Sequence, residues 1–155
     1  MDNNSKETPS KRFPKSERLH HRSLVERLFR SGRSFYEFPF RVNWNLLSEE
    51  ELSKNFRNIV PPGIGRVQVM VTVPKKKRKR AVDRVLMRRR IKEAYRLNKS
   101  EIIASLSSCP DLGTLSIALV YIHDKNLDYT MVEGKVKSLL EKLQRKLLKE
   151  ETQDV

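Results

Sequence analysis

Hydrophobic positions along the chain recur at two periods, and each period marks a kind of element. Leu24, Val25, Leu28 and Phe29 fall at i, i+1, i+4 and i+5, which predicts a helix over residues 21–31. Gly32 stands where a left-handed residue would end that helix. Phe38, Phe40, Val42, Trp44 and Leu46 alternate with Pro39, Arg41, Asn43 and Asn45. A period of two places the large side chains on one face of a strand, with Pro39 at its edge or start. Val67, Val69, Val71 and Val73 repeat the alternation as far as Pro74. Residues 115–122 are nearly all apolar and β-rich, as expected of a central strand covered on both faces. Val132, Val136, Leu139, Leu140, Leu143 and Leu147 return to helical spacing and predict an amphipathic last helix.

Residues 48–65 mix acids and Asn with Pro61, Pro62, Gly63 and Gly65 and read as a connection. A further helix is predicted over residues 81–98, with Asp83 as its N-cap and Met87, Ile91, Ala94 and Tyr95 on one face. The order helix, strand, strand, helix, strand, helix gives an α+β fold, a single-layer sheet packed with helices. Its expected limits are residues 13–149, preceded by a flexible basic arm (1–12) and followed by a short tail (150–155).

Charge changes this picture. The chain has 155 residues, of which 34% are charged, and carries +14. Residues 75–96 hold 12 of the 33 Lys and Arg but only Asp83 and Glu93 of the acids, so most of the net charge lies in 22 residues. Such concentration is the footprint of a polyanion partner. A membrane is the weaker candidate, because no run of 18 apolar residues exists and residues 1–11 are polar, unlike a signal peptide. The lone Cys109 offers no internal disulfide and fits a reducing compartment. A cytoplasmic protein without a membrane partner is the expectation.

On the helix of residues 81–98, Arg88, Lys92 and Arg96 run at i, i+4 and i+8 with Arg89 beside them, and Arg84 stands at the N-terminal end. Guanidinium groups bridge phosphate oxygens, and a helix anchored by its other face presents them without the entropy cost of a loop. A solvated helix face is the plain reading of such a stripe, but solvated helices intersperse acids, and only Glu93 is available. The run Lys75, Lys76, Lys77, Arg78, Lys79, Arg80 just upstream extends the same surface. Alone, that run would equally suit a nuclear-localisation signal or an anionic lipid patch.

Catalytic chemistry is not encoded in this pattern. Asp83 and Glu93 fall on different sides of their helix, His20 and His21 are expected to splay apart on a helix, and His123 is distant. Neither a carboxylate cluster for Mg²⁺ nor a Cys/His spacing for zinc is apparent. No catalytic residue is assigned.

The stretch Val71-Thr-Val-Pro-Lys-Lys followed by residues 81–96 (Ala-Val-Asp-Arg-Val-Leu-Met-Arg-Arg-Arg-Ile-Lys-Glu-Ala-Tyr-Arg) resembles the signature of the bacterial ribonuclease P protein family. Ala81, Val82, Arg84, Arg89, Glu93, Tyr95 and Arg96 match it, with Arg88 and Lys92 as basic equivalents. Val85 and Leu86 stand where the family has Asn and Arg, and Arg90 is the candidate substitute donor. The resemblance implies an αβββαβα order with a left-handed β-α-β crossover. It implies an RNA subunit that is the catalyst, with Mg²⁺ held mainly by RNA and substrate. It implies binding to that RNA and to precursor tRNA, not DNA, so that the 5′ leader is removed. RNA-binding residues would be Lys75, Lys76, Arg80, Arg84, Arg88, Arg89, Lys92 and Arg96. A leader cleft would hold Val25, Phe29, Phe40 and Val42, where aromatic faces stack bases; ordinary core packing is the competing reading for Phe29 and the strand face.

Two rival functions remain. One is a general structured-RNA-binding or ribosome-associated protein, which would bind precursor and mature tRNA alike. The other is a nuclear or membrane-targeted protein using residues 75–80, in which deleting the run would change location alone.

Overall fold

The computed structural model describes residues 12–109 and 113–153, so the arm expected over residues 1–12 lies, Arg12 apart, outside the described residues. After a short 3₁₀ turn at Lys15–Glu17, the elements run α1 (Arg22–Ser31), β1 (Arg33–Glu37), β2 (Phe40–Leu47), α2 (Glu49–Asn55) and β3 (Val67–Thr72). The chain continues through α3 (Ala81–Asn98), α4 (Ser100–Ser107), β4 (Thr114–Tyr121) and α5 (Tyr129–Gln153). The fold is α+β, as the periodicities predict, but α2 and α4 interrupt the αβββαβα order. Of the tail expected over residues 150–155, residues 150–153 continue the last helix and 154–155 lie outside the described residues.

The four strands lie in the order β1-β2-β4-β3. β1 with β2 and β2 with β4 are antiparallel, and β3 with β4 is parallel, so the chain from β3 through α3 and α4 to β4 is a β-α-β crossover. β4 is central and all eight of its residues are buried, as its unbroken apolar run requires.

The register assigns every strand residue to a face. On one face lie the rows Phe35–Val42–Leu119–Val71 and Arg33–Trp44–Ile117–Val69. Together with Met87, Ile91, Ala94 and Tyr95 of α3 and Val132, Val136, Leu139, Leu140, Leu143 and Leu147 of α5, most of these residues form the main core. The helix faces predicted from sequence are thus the buried ones. On the opposite face α1 packs Leu24 and Leu28 against Leu47, Ala118 and Val120.

Three local features depart from the sequence reading. Gly32 is extended (φ −77°, ψ 167°), not left-handed. Glycine is needed there because a Cβ would lie 2.4 Å from the Leu28 carbonyl oxygen. Asp83 lies within the first turn of α3, where Arg80 is the N-cap and makes no side-chain cap. The connection 48–65 contains α2, started by a capping box: the Ser48 hydroxyl accepts from Glu51 N–H and the Glu51 carboxylate from Ser48 N–H.

Arg66 ties the crossover together. Its guanidinium donates to the carbonyls of Leu106 (2.6 Å), Cys109 (3.1 Å) and Gly113 (3.3 Å), satisfying the end of α4 and the approach to β4. Among the described residues, no helix is long and apolar enough to cross a membrane.

Candidate nucleic-acid interface

The cationic residues of α3 and its upstream loop divide by what they touch. Arg78 pairs with Asp83 (3.0 Å) and donates to Asn126 Oδ1 (2.9 Å), and Asn126 in turn donates to Asp83 (3.0 Å). Hydrogen bonding from Asn126, reinforced by the charges of Arg78 and Arg80, holds the Asp83 carboxyl below its usual value. Arg84 turns back to donate to the carbonyls of Arg78 (3.0 Å) and Lys79 (2.7 Å). These contacts fix the loop that carries the basic run.

Arg90 donates to the Leu127 carbonyl and is part-buried, so it serves the packing of α3 on the segment before α5. The role of substitute RNA donor is therefore withdrawn for Arg90: its guanidinium already anchors another loop. Arg96 grips Glu93 in a two-point pair (2.6 and 3.0 Å), which lowers the Glu93 carboxyl and weakens Arg96 as an open phosphate ligand.

Arg88, Arg89 and Lys92 are different. None has a hydrogen-bond or ion-pair partner among the described residues. The helix face behind them, Met87, Ile91, Ala94 and Tyr95, is fully buried. Lys75, Lys76, Lys77 and Lys79 are exposed and unpaired in the same sense, and Arg80 is exposed with only a 3.8 Å contact to Asp83. Of the eight predicted RNA-binding residues, Lys75, Lys76, Arg80, Arg88, Arg89 and Lys92 have charge to offer. Arg84 and Arg96 spend theirs within the protein. Val82 and Val85 are exposed on the same helix, Val85 occupying the departure from the family signature.

The predicted cleft needs a larger correction. Phe40 and Val42 are wholly buried in the main core, on the sheet face packed by α3 and α5. Val25 and Phe29 belong to α1 on the other side of the sheet; Val25 packs against the second core and Phe29 is 43% exposed. No cleft can contain all four, because strand alternation sends Phe40 and Val42 away from α1.

The residues that do share the α1 side are those of opposite parity. Tyr36, Arg41, Val120 and Thr72 form one row across all four strands, and Ser34, Asn43, Ala118 and Met70 form the next. Tyr36 is 65% exposed and Arg41 is exposed. The same alternation that marks Phe40 and Val42 as core could have identified Arg41 and Asn43, had the polar half been read as the site.

His20 and His21 do not splay: both precede α1 and their rings lie 4.4 Å apart, with His21 edge-on to Phe56. Burial, His20 and Lys15 lower the His21 pKa. Among the described residues no three His, Cys, Asp or Glu gather to hold a metal ion.

Comparison with known proteins bears on this arrangement. The family model described as Ribonuclease P matches residues 13–144. The Ribonuclease P protein component of Porphyromonas gingivalis strain W83 is 32% identical over 125 residues, 81% of each chain. That of strain ATCC 33277 is 33% identical over 119 residues, 77% of each. In structure the chain resembles the RNase P protein of Staphylococcus aureus (TM-score 0.56, 17% identity, 81% of this chain and 93% of that one). It equally resembles the RNase P protein of Thermotoga maritima (TM-score 0.56, 20% identity, 81% and 96%). The structural likenesses establish the fold.

Proposed function

Because this chain belongs to the family of ribonuclease P proteins, we propose that it is the RNA-gripping subunit of a ribonuclease that removes the 5′ leader of precursor tRNA. The family gives it an RNA partner and a part in a ribonuclease. Our finer reading is that the partner is a catalytic RNA subunit and that the protein contributes no catalytic residue.

One observation carries this reading: Arg88, Arg89 and Lys92 stand without protein partners on a helix whose opposite face is locked in the core. A rigid row of unsatisfied cations lowers the electrostatic cost of bringing polyanions together, and releases counterions as it does so. Lys75 to Lys77 and Lys79 would extend that row along the same RNA. We place the leader on the α1 side of the sheet, over Tyr36 and Arg41, with Phe29 of α1 a further candidate on that side. There an aromatic ring and a guanidinium can stack or pair with unpaired nucleotides. Val25, half-buried, would form the wall.

Mg²⁺ would be held mainly by the RNA and the substrate. The described side chains support no carboxylate cluster for it, and the protein's contribution would be to screen phosphate repulsion so that fewer free ions are needed.

The test is cleavage of 5′-labelled precursor tRNA at low Mg²⁺ by a matched ribonuclease P RNA, with and without this protein. Restored cleavage at the mature 5′ end is expected. Cutting by the protein alone would overturn the absence of catalytic residues. No effect, with equal binding to precursor and mature tRNA, would leave a general RNA-binding protein.

A further inference from the structure

A pocket of about 270 Å³ opens at the free edge of the sheet, lined by Phe13, Arg18, Leu19, Val69, Met70, Val71 and Lys92. It lies at the far edge of the sheet from Tyr36 on β1 and Arg41 on β2, because β3 is the opposite outer strand. Resting on the RNA-binding reading above, we propose that this pocket receives one unstacked nucleotide of the RNA held by α3, its base laid on the Arg18 guanidinium.

Three observations converge on that chemistry. First, planar groups already stand in series. The Tyr95 ring is buried in the core, the Phe13 ring lies 5.4 Å from it, and the Arg18 guanidinium sits 5.5 Å over Phe13. Arg18 is held in place because its Nε donates to the Phe13 carbonyl (3.1 Å), while the residue itself is exposed. The series therefore ends on a fixed, solvent-facing guanidinium plane, a surface on which an unpaired base stacks.

Second, the strand edge beside it is open. The N-terminal segment pairs with the backbone of β3 at a single residue, where Arg18 bridges Val69 in the parallel sense and Leu19 N–H donates to the Val69 carbonyl (3.0 Å). Carbonyls alternate sides along a strand, so the N–H and C=O of Val71 face the same edge, and neither has a partner there among the described residues. A donor and an acceptor side by side match the edge of a nucleobase.

Third, the pocket is closed on the α3 side by Lys92, one of the unpaired cations of the RNA-facing row. A nucleotide whose phosphate meets Lys92 continues the backbone path along α3, and its base can enter the pocket. A protein segment would need carboxylates to meet Arg18 and Lys92 together; RNA brings its phosphate and its flat base in one unit, which is why RNA is the occupant the geometry favours.

The test uses the full chain bound to a matched ribonuclease P RNA. Ultraviolet irradiation of the unaltered complex should leave a nucleotide adduct within residues 12–19, read by mass spectrometry. Adducts confined to α3 and to the Tyr36–Arg41 region would overturn the proposal. Arg18→Lys keeps the charge and removes the plane. It should weaken binding about 5- to 150-fold, as loss of one stacked base does, abolish the adduct and leave the salt slope unchanged. Equal affinity with the adduct retained would overturn it. Failure of the unaltered chain to bind the RNA at all would refute the RNA-binding reading itself, and the pocket with it.

Discussion

Lys99 and Glu17, 82 positions apart, form an ion pair of 2.5 Å in which the Lys99 side chain is 1% exposed and that of Glu17 20%. Lys99 sits at the joint between α3 and α4, and its ammonium also donates to the Arg12 carbonyl. One lysine therefore fastens the N-terminal segment to the helix that carries the RNA-facing charge. The segment it fastens includes Phe13 and Arg18.

That pair should be strongly asymmetric to mutation. Removing one partner of a buried pair costs about 3 to 5 kcal/mol when the remaining charge has no other solvation. Lys99→Met leaves Glu17, which still reaches water, whereas Glu17→Ala leaves an ammonium sealed from water with the Arg12 carbonyl, a neutral acceptor, in place of its counter-charge. Urea unfolding should show the larger loss for Glu17→Ala, and the Lys99→Met, Glu17→Leu double variant should recover most of the stability. Equal losses from both single changes would show that the pair is not desolvated as its burial implies.

The division of the cations yields a second prediction. Replacing Arg88, Arg89 and Lys92 with Gln should leave thermal stability within about 0.5 kcal/mol, since these side chains hold nothing in the protein. The same triple variant should flatten the logarithmic salt dependence of RNA binding by about 0.7 to 0.9 for each phosphate no longer neutralised. Arg90→Gln should do the reverse. It forfeits the charged hydrogen bond to the Leu127 carbonyl, a loss of about 1 to 3 kcal/mol in stability, with little change in salt slope. A flattened slope for Arg90→Gln would return it to the RNA-binding set.

Sequence periodicity reaches the helices best. The faces of α3 and α5 are legible because each buries a continuous stripe in one core, Met87 to Tyr95 and Val132 to Leu147. β1 escapes a pattern reading because Phe35 is its only buried residue and charge surrounds it. α2 has no fully buried residue, Leu52 alone reaching the second core; only the Ser48 and Glu51 spacing betrays it. At the candidate interface, residue type locates the cations but not their partners. Arg84 and Arg90 end on backbone carbonyls, which any sequence supplies and no motif reveals. The cleft expectation fails at the level of parity: alternation separates two faces, and the apolar half leads into the core.

That correction is testable in a single comparison. Phe40→Ala should cost about 3 to 5 kcal/mol, the usual loss for a fully buried aromatic ring, because Phe40 packs inside the main core against Tyr121. Tyr36→Ala and Arg41→Gln should leave the melting temperature nearly unchanged while narrowing the preference for precursor over mature tRNA. Competition binding with the two RNAs reads the difference. A preference untouched by both exposed substitutions would move the leader off this side of the sheet.

Asp83 gives the pH dependence its sign. The Asn126 hydrogen bond, helped by Arg78 and Arg80, puts its folded pKa below the ordinary 3.8. The folded state thus binds fewer protons than the unfolded state between those two values, and stability rises with pH across that window. The contribution is complete above the unfolded value and is lost as pH falls through the folded one. Glu93, lowered from 4.5 by Arg96, acts in the same direction. Melting temperatures measured from about pH 2 to pH 7 should therefore separate the unaltered chain from Asp83→Asn most widely at neutral pH, with the gap closing in acid. Because Asp83 also steadies Arg78 and the loop of lysines behind it, the same variant should weaken RNA binding at neutral pH even though it adds one unit of positive charge. Tighter binding would mean that net charge, rather than the fixed shape of that loop, governs the grip.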